Sequence, residues 1–234
     1  MKFGPTPIPT DGLILALDAG NPLCMLPGGT SARNIITGGA ITGANGNPGT
    51  GTHTPDPSNF PAYSGEHGGV FDCLGAKSMN CDEDLGDHTK ISITMWFYKT
   101  STGTQYFSDA RNDGGTWFLT NYLSYNYNFS TALRYNYTDP YNSNPSEFIN
   151  KWICMTVTSD SSGSKLYLNG TEVSNYVSQN SVTEQIGKNF RIGTRYTGPY
   201  AEWTGMFGNI FIHNRVITST EALQIYDAGK FRFK

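Results

Sequence analysis

The chain has 234 residues, of which 37% are hydrophobic, 13% aromatic and only 15% charged, and it contains 27 Gly and 12 Pro. This composition favours many short strands and tight turns over helices, and the length suits a single all-β domain. Sixteen basic residues against nineteen acidic residues give a formal charge of −3. No Lys/Arg cluster is present, which argues against nucleic acid as a partner.

The chain begins with a proline-rich segment, MKFGPTPIPT, which predicts an extended arm over residues 1–11. It has no apolar run of the kind found in signal peptides, and no later segment has the 18 apolar residues of a membrane span. We therefore expect a protein that is made in a cytoplasm and not secreted, with no membrane partner. Cys24, Cys73, Cys81 and Cys154 are too widely spaced for a CxxC metal site and are expected to be reduced, mostly buried thiols.

Two segments alternate strictly between apolar and other side chains, as strands of a sandwich do. In KISITMWFY the inward set is Ile91, Ile93, Met95 and Phe97, and in Trp152–Thr158 it is Ile153, Met155 and Val157. These two segments predict a central strand pair. Further strands are predicted at Gly12–Leu17, Gly69–Cys73, Gln105–Asp109, Trp117–Asn121, Ser124–Phe129, Ala132–Tyr137, Phe190–Gly193 and Gly205–His213. Asn34–Gly69, rich in Gly, Asn, Thr and Pro, predicts one long loop.

The second half of the chain carries two strong local signals. Asn169-Gly170 between strand-like runs predicts a β-hairpin. Thr218-Ser219-Thr220-Glu221 is a capping box, which predicts a helix with an apolar side of Ala222, Leu223, Ile225 and Tyr226 and with Gly229 at its C′ position. Residues 230–234 would follow as an extended tail.

The ordered segments GLILALDAGNP, GGVFDC, ISITMWFY, KWICMTVT, KLYLNGTEV, FRIGTR and GNIFIHNRVITSTEALQIYDAG resemble the laminin-G-like, or concanavalin-A-like, domains of bacteriophage virion proteins. The resemblance covers about Gly12 to Gly229. It implies an all-β fold, an antiparallel β-sandwich of the jelly-roll type with one short C-terminal helix. It also implies a domain that binds sugars or neighbouring proteins, and the fold does not choose between these.

A catalytic role is not expected. Glucanases with this fold need two carboxylates on one strand, one as acid and one as nucleophile. Their ExDxxE strand is missing, and no strand here carries two carboxylates at i and i+2 or i+4 on one face.

A metal site is one interpretation of the acidic segment that contains Asp82, Glu83, Asp84 and Asp87. Carboxylate oxygens in a loop suit Ca²⁺, with Asp82, Asp84 and Asp87 as candidate ligands. An exposed acidic loop is equally well solvated by water, which we favour, so no cofactor is expected.

A sugar site is predicted where Tyr and Asn alternate on adjacent strands. Rings can stack on sugar CH faces while amides bind hydroxyls, and the candidates are Tyr125, Tyr127, Tyr135, Tyr137, Asn126 and Asn128. The alternative is that one aromatic row belongs to the core. Arg111 and Asn112 begin a polar turn at one end of the sandwich, where functional loops tend to cluster, although it could be a simple Gly-rich hairpin.

Our leading hypothesis is a non-catalytic virion protein, a capsid decoration or accessory surface protein of a phage. It would contact the major capsid protein or other copies of itself through the arm (1–11), the long loop and the tail (230–234) on either side of the sandwich (12–229). Such ends can also fold back on their own domain. The alternative is an adhesin, on a fibre or the head, that recognises cell-surface glycans.

Overall fold

The structure is a computed structural model that describes residues 7–43, 57–75, 77–101, 105–111, 117–123, 129–132, 148–173, 184–185, 190–194 and 203–233. Of residues 87, 110–111, 117–123, 129–132 and 184–185 it describes the backbone alone. In chain order the strands are β1 (Leu13–Leu17), β2 (Ala32–Arg33), β3 (Ala40–Gly43), β4 (Ala62–Ser64), β5 (Val70–Asp72), β6 (Met79–Cys81), β7 (Asp87–His88), β8 (Ile91–Lys99), β9 (Gln105–Arg111), β10 (Trp117–Leu123), β11 (Phe129–Ala132), β12 (Trp152–Asp160), β13 (Gly163–Leu168), β14 (Thr171–Glu172), β15 (Glu184–Gln185), β16 (Phe190–Ile192) and β17 (Gly205–His213). One helix, α1, spans Ser219–Gly229.

Within these residues the strands form two large antiparallel sheets. The first sheet has the order β14-β13-β12-β8-β17-β5-β4, with β1 also paired to β17. The second sheet has the order β11-β10-β9-β16-β6-β3-β2, and β15 pairs with β7 in a separate two-stranded piece. The predicted antiparallel β-sandwich with a short C-terminal helix is confirmed.

The main core contains the predicted inward faces of β8 and β12. The two strands are antiparallel neighbours, with Met95 opposite Met155 and Ile93 opposite Val157. These side chains are at most 4% exposed and belong to one apolar cluster that includes residues of both sheets. Period-2 alternation therefore identified both the central pair and its inward side correctly.

The hairpin at Asn169-Gly170 is confirmed. Both residues have positive φ, 51° and 78°, which is the conformation of a type I′ turn, and Leu168 pairs with Thr171 across it. The Asn169 side chain accepts a hydrogen bond from the backbone N–H of Cys154 at 3.0 Å, which ties the turn to the neighbouring β12.

Helix α1 begins as predicted and ends differently. The Thr218 hydroxyl accepts from the backbone N–H of Glu221 at 3.2 Å, and the Glu221 carboxylate accepts from the backbone N–H of Thr218 at 2.8 Å, which completes the capping box. Gly229 is the last helical residue and not the C′ residue. A glycine is required at this position because a Cβ atom on residue 229 would collide with the Trp96 side chain. Leu223 is 45% exposed, so the predicted apolar side is wrong there, and Ala228 joins Ala222 and Ile225 in the buried face.

Both described ends of the chain pack on the first sheet instead of extending away from the core. Phe233 is 3% exposed against Trp96 and Trp152, with ring centroids at 4.9 and 4.8 Å, and Arg232 forms an ion pair of 2.7 Å with the buried Asp18. Ile8 in the arm is 4% exposed in a cluster with α1. The prediction of a tail outside the core is therefore wrong. The alternation of aromatic and basic residues suggested an exposed segment, but Trp96 and Trp152 of the first sheet form an aromatic pocket that buries Phe233.

Two other predictions of local structure are corrected. The segment 34–69 is not one loop, because it contains β3, β4 and the 3₁₀ turns Pro57–Asn59 and Glu66–Gly68, and Phe60 is buried. The break predicted between the strands Ser124–Phe129 and Ala132–Tyr137 is also wrong. Residues 130–131 lie inside β11, where they pair with β10. Thr131 is β-branched, and such residues are favoured in strands.

Candidate functional site

Most of the sugar-site residues predicted from the sequence lie outside the described residues. These are Tyr125, Tyr127, Tyr135, Tyr137, Asn126, Asn128 and Asn112. Arg111 is the last residue of β9 and is paired with Trp117 of β10. The strands β10 and β11, which flank the Tyr/Asn segment, form one edge of the second sheet.

The acidic segment is held by hydrogen bonds to five other residues. Asp82 accepts from Asn80 and Thr42, Glu83 accepts from the side chains of Asn34 and Thr37, and Asp84 accepts from the backbone N–H of Gly86. The backbone of Asp87 lies in β7. Among the described residues, no group of three or more His, Cys, Asp or Glu side chains could hold a metal ion. The predicted ligands Asp82 and Asp84 thus serve to fix the turn between β6 and β7.

A continuous row of polar residues crosses the second sheet. The strand register pairs Thr42 of β3 with Asn80 of β6, Asn80 with Arg191 of β16, and Arg191 with Asp109 of β9. The register continues from Asp109 to Thr120 of β10. Because paired residues share a face of a sheet, Thr42, Asn80, Arg191 and Asp109 form one line, which we call the polar row.

Asn80 and Arg191 of the polar row lie on the outer face of the second sheet. Phe190 and Ile192, which flank Arg191 in β16, are fully buried in the main core, as are Met79 and Cys81 on either side of Asn80. Successive side chains of a strand point to opposite faces, so Arg191 and Asn80 point away from that core.

The chemistry of the row is unusual for residues so little exposed. Asn80, Arg191 and Asp109 are each at most 2% exposed, although a guanidinium and a carboxylate are rarely buried unless paired. Arg191 and Asp109 carry opposite charges at directly opposed positions. The Asn80 amide donates to Asp82 at 2.9 Å and to the Cys81 carbonyl at 3.2 Å, while its own oxygen has no partner among the described residues.

Exposure changes along the row. Asp82, two residues beyond Asn80, is exposed, and Thr42 is half-buried with its hydroxyl donating to Asp82 at 3.1 Å. The row is therefore reached from solvent at its β3–β6 end. Beyond that end, the polar atoms of Asn80, Arg191 and Asp109 form a buried continuation.

The sequence contained a partial signal for this site. Phe190-Arg191-Ile192 places one cation between two core residues, as Met79-Asn80-Cys81 places one amide. However, β6 and β16 have only three residues each, which is too short for the alternation to be recognised, and neither β3 nor β6 was predicted.

Among the residues that the structure describes, the outer face of the first sheet shows no comparable row of polar side chains. Helix α1, the arm and the tail cover it, and Phe211, Trp96 and Cys154 on that face are buried in clusters with these segments. The described part of the chain also contains no helix that is long and apolar enough to cross a membrane.

Solved structures with the same fold include carbohydrate-active proteins and a toxin. The chain is similar to domain 4 of AbnA, an extracellular arabinanase of family GH43 from Geobacillus stearothermophilus, solved in complex with arabinotriose, at a TM-score of 0.64 and 14% identity, over 92% of this chain and 98% of that one. It is similar to Trypanosoma rangeli sialidase at a TM-score of 0.57 and 12% identity, over 96% of this chain and 34% of the sialidase. It is also similar to the receptor-binding domain of botulinum neurotoxin type G, at a TM-score of 0.56 and 16% identity, over 93% of this chain and 51% of that domain.

At these identities the likeness establishes a shared fold, and the chain spans only about a third of the sialidase and half of the toxin domain. A search of curated protein sequences found no significant match. A family model described as the concanavalin A-like lectin/glucanase superfamily matches residues 75–222, more than half of the chain. The predicted laminin-G-like resemblance is thereby confirmed at the level of the family, and the chain belongs to the concanavalin A-like lectin/glucanase superfamily.

Proposed function

We propose that the protein is a non-catalytic recognition module that binds carbohydrate on the outer face of its second sheet. The observation that carries this proposal is the polar row, which brings a hydroxyl, an amide, a guanidinium and a carboxylate into one line across four strands. Sugar hydroxyls both donate and accept hydrogen bonds, so a sugar site needs both kinds of group close together. The row offers both.

The distribution of covered and open surface supports the same assignment. The helix, the arm and the tail cover the outer face of the first sheet. The second sheet carries polar groups on its outer face, and these are open to solvent at Asp82 and Thr42. Domain 4 of the arabinanase, which has the same fold over nearly its whole length, was solved with arabinotriose, so sugar recognition is compatible with a domain of this size.

The test is a glycan array followed by calorimetry on the full chain. Thr42→Val removes one hydroxyl and keeps the shape, and should weaken binding about 2- to 10-fold, whereas Asp82→Asn removes a charge-assisted partner and should weaken it about 10- to 100-fold. Glu172→Gln, an exposed carboxylate on β14 of the first sheet, is the matched control and should bind like the unchanged protein. An array without any binding, or equal affinities for all three variants, would contradict the proposal.

The Tyr/Asn segment predicted from the sequence is tested separately. Tyr127→Ala and Tyr137→Ala should each lower affinity if their rings stack on the same sugar, since stacking with an aromatic ring is lost. If only Thr42→Val and Asp82→Asn weaken binding, the aromatic segment has no part in the site. No product release from polysaccharides is expected, because the paired carboxylates of the glucanase strand are missing from the sequence.

A second candidate function is attachment to neighbouring virion proteins as a phage capsid decoration protein. One loop after β1 exposes two large apolar side chains, Leu23 at 72% and Leu26 at 65%, and such surfaces are typical of protein contacts. The resemblance of the sequence to laminin-G-like domains of phage virion proteins supports a role in a virus particle. Leu23→Ser with Leu26→Ser should then reduce incorporation into particles at least tenfold, and Leu74→Ser, at a residue 55% exposed outside this loop, should not. Equal incorporation of both variants argues against attachment through this loop.

A further inference from the structure

The arm Pro7–Asp11 is held on the domain by side chains of the last strand, the helix and the segment that joins them. The Gln224 side chain donates to the carbonyl of Pro7, His213 donates to the carbonyl of Pro9 at 3.0 Å, and Arg215 donates to the carbonyl of Asp11 at 3.0 Å. Between these contacts Ile8 is buried with Ile217 and Ile225. Pro7 and Pro9 lack an N–H, so the backbone can only accept hydrogen bonds at these two positions.

His213 is the buried member of this set. Its side chain is 0% exposed, its Nε2 faces the Pro9 carbonyl, and its Nδ1 is buried with no hydrogen-bond partner among the described residues. A carbonyl only accepts, so Nε2 carries the proton and donates it, and the neutral ring leaves Nδ1 without one. A second proton would place a charged N–H at Nδ1, where the described part of the chain provides no acceptor.

The charged groups around His213 do not compensate for such a charge. Arg215, two residues along the chain, adds a positive charge. The two nearby carboxylates are Glu221 on α1 and Asp11 in the arm, and both are already paired with Arg215, at 2.5 Å and 3.0 Å. Protonation of His213 therefore adds a buried cation beside a guanidinium whose partners are already engaged.

We propose that the arm is an acid-released strap, which His213 holds on the domain only while its imidazole is neutral. Below neutral pH the ring gains its second proton, the arm leaves its seat against β17 and α1, and the ring becomes hydrated. The apolar seat of Ile8 is then exposed to solvent. The device is separate from the polar row, which lies on the other sheet.

The direction of the pH dependence follows from burial. Desolvation is the largest cause that lowers the pKa of His213 below its ordinary value, and Arg215 lowers it further, against smaller opposing effects of Pro9, Glu221 and Asp11. With the arm released the ring is hydrated and titrates near its ordinary pKa of about 6.5. The equilibrium constant for docking of the arm therefore has its full value above about pH 6.5. It decreases by up to tenfold for each pH unit below that, until the pH reaches the pKa of His213 in the docked state.

The other histidines described here differ in their surroundings. His67 and His88 are both half-buried, whereas His213 is fully buried. We therefore expect the structural change between pH 8 and pH 5 to be confined to the arm.

A spin label at residue 10 tests the strap on the full chain. Thr10 is exposed and the four native thiols are buried, so Thr10→Cys gives a single labelling site. We expect a mobile spectral component that grows at least fivefold between pH 8 and pH 5. In the His213→Gln background, where an amide N–H can still donate to Pro9 and does not titrate, this growth should disappear. An unchanged spectrum between pH 8 and pH 5, or equal growth in both backgrounds, would overturn the proposal.

A second measurement needs no change at His213. The ring protons of His213 are followed by NMR in the unchanged chain and in Ile8→Asn, which loosens the arm by placing a polar but uncharged group in its apolar seat. Because docking and protonation are linked, the midpoint for His213 should rise by at least half a pH unit in Ile8→Asn. Identical midpoints for His213 in the two proteins would refute the strap.

Discussion

Gly229 and Trp96 touch so closely that no side chain fits between them. A Cβ atom on Gly229 would lie 2.5 Å from Nε1 of Trp96. The indole cannot move aside, because it is stacked on Tyr226 at 5.6 Å and packed on Phe233 at 4.9 Å. This contact sets the distance between helix α1 and the first sheet.

Gly229→Ala should therefore destabilise the protein although alanine is the better helix former. Overpacking costs about 1–3 kcal/mol, which exceeds the roughly 1 kcal/mol gained in helix propensity, and the midpoint of urea unfolding should fall. Gly65→Ala is the matched control. Gly65 has φ −74° and its Cβ would meet nothing nearer than a Tyr63 ring atom at 3.9 Å. It should be neutral or stabilising by about 0.4–1 kcal/mol, and a similar loss in both variants would contradict the close-contact explanation.

The two phenylalanines of the tail should differ sharply in their effect on stability. Phe233 is 3% exposed in the aromatic pocket, whereas Phe231 is 64% exposed. Phe233→Ala should lower the free energy of unfolding by about 3–5 kcal/mol through the lost burial and the cavity. Phe231→Ala should change it by less than about 0.5 kcal/mol. Thermal or urea unfolding of the two variants decides, and equal effects would mean that the tail is not docked in solution.

Features whose cause is local could be predicted from the sequence. The alternation in β8 and β12, the Asn169-Gly170 turn and the Thr218–Glu221 capping box each depend on residues within one element, and each is found where it was predicted. The family followed from the order of such elements.

Features whose cause is tertiary could not be predicted in this way. Gly229 matches the sequence pattern of a helix C′ residue, and only the position of Trp96 shows why it lies inside the helix. Phe233 is buried by residues from three distant parts of the chain. The polar row depends on the register of short strands far apart in sequence, so no single segment contains the pattern.

The four thiols should be inert in the folded protein. Burial raises the pKa of Cys24 to about 11 and that of Cys81 to about 12, and it raises the pKa of Cys73 and Cys154 as well. Since the thiolate is the reactive form, none should react with a disulfide reagent at pH 8, and all four should react in denaturant. One fast-reacting thiol in the folded chain would show that its segment opens.

The ion pair of Arg215 and Glu221 should make the stability of the protein decrease measurably at acid pH. Hydrogen bonds from Arg215, above all, and from Thr218 lower the pKa of Glu221 to about 2 from its usual 4.5. The carboxylate is favoured in the folded state, so its contribution to stability is complete above about pH 4.5 and is lost as the pH falls toward 2. Glu221→Gln removes the charge, and the melting temperature should drop relative to the unchanged protein at pH 6 but hardly at pH 2. Glu172→Gln, an exposed carboxylate paired with Lys165 at 3.0 Å, should show a much smaller difference at either pH, because exposed ion pairs contribute little. A difference for Glu221→Gln that stays constant from pH 6 to pH 2 would mean that the loss comes from packing at the helix start and not from the charge.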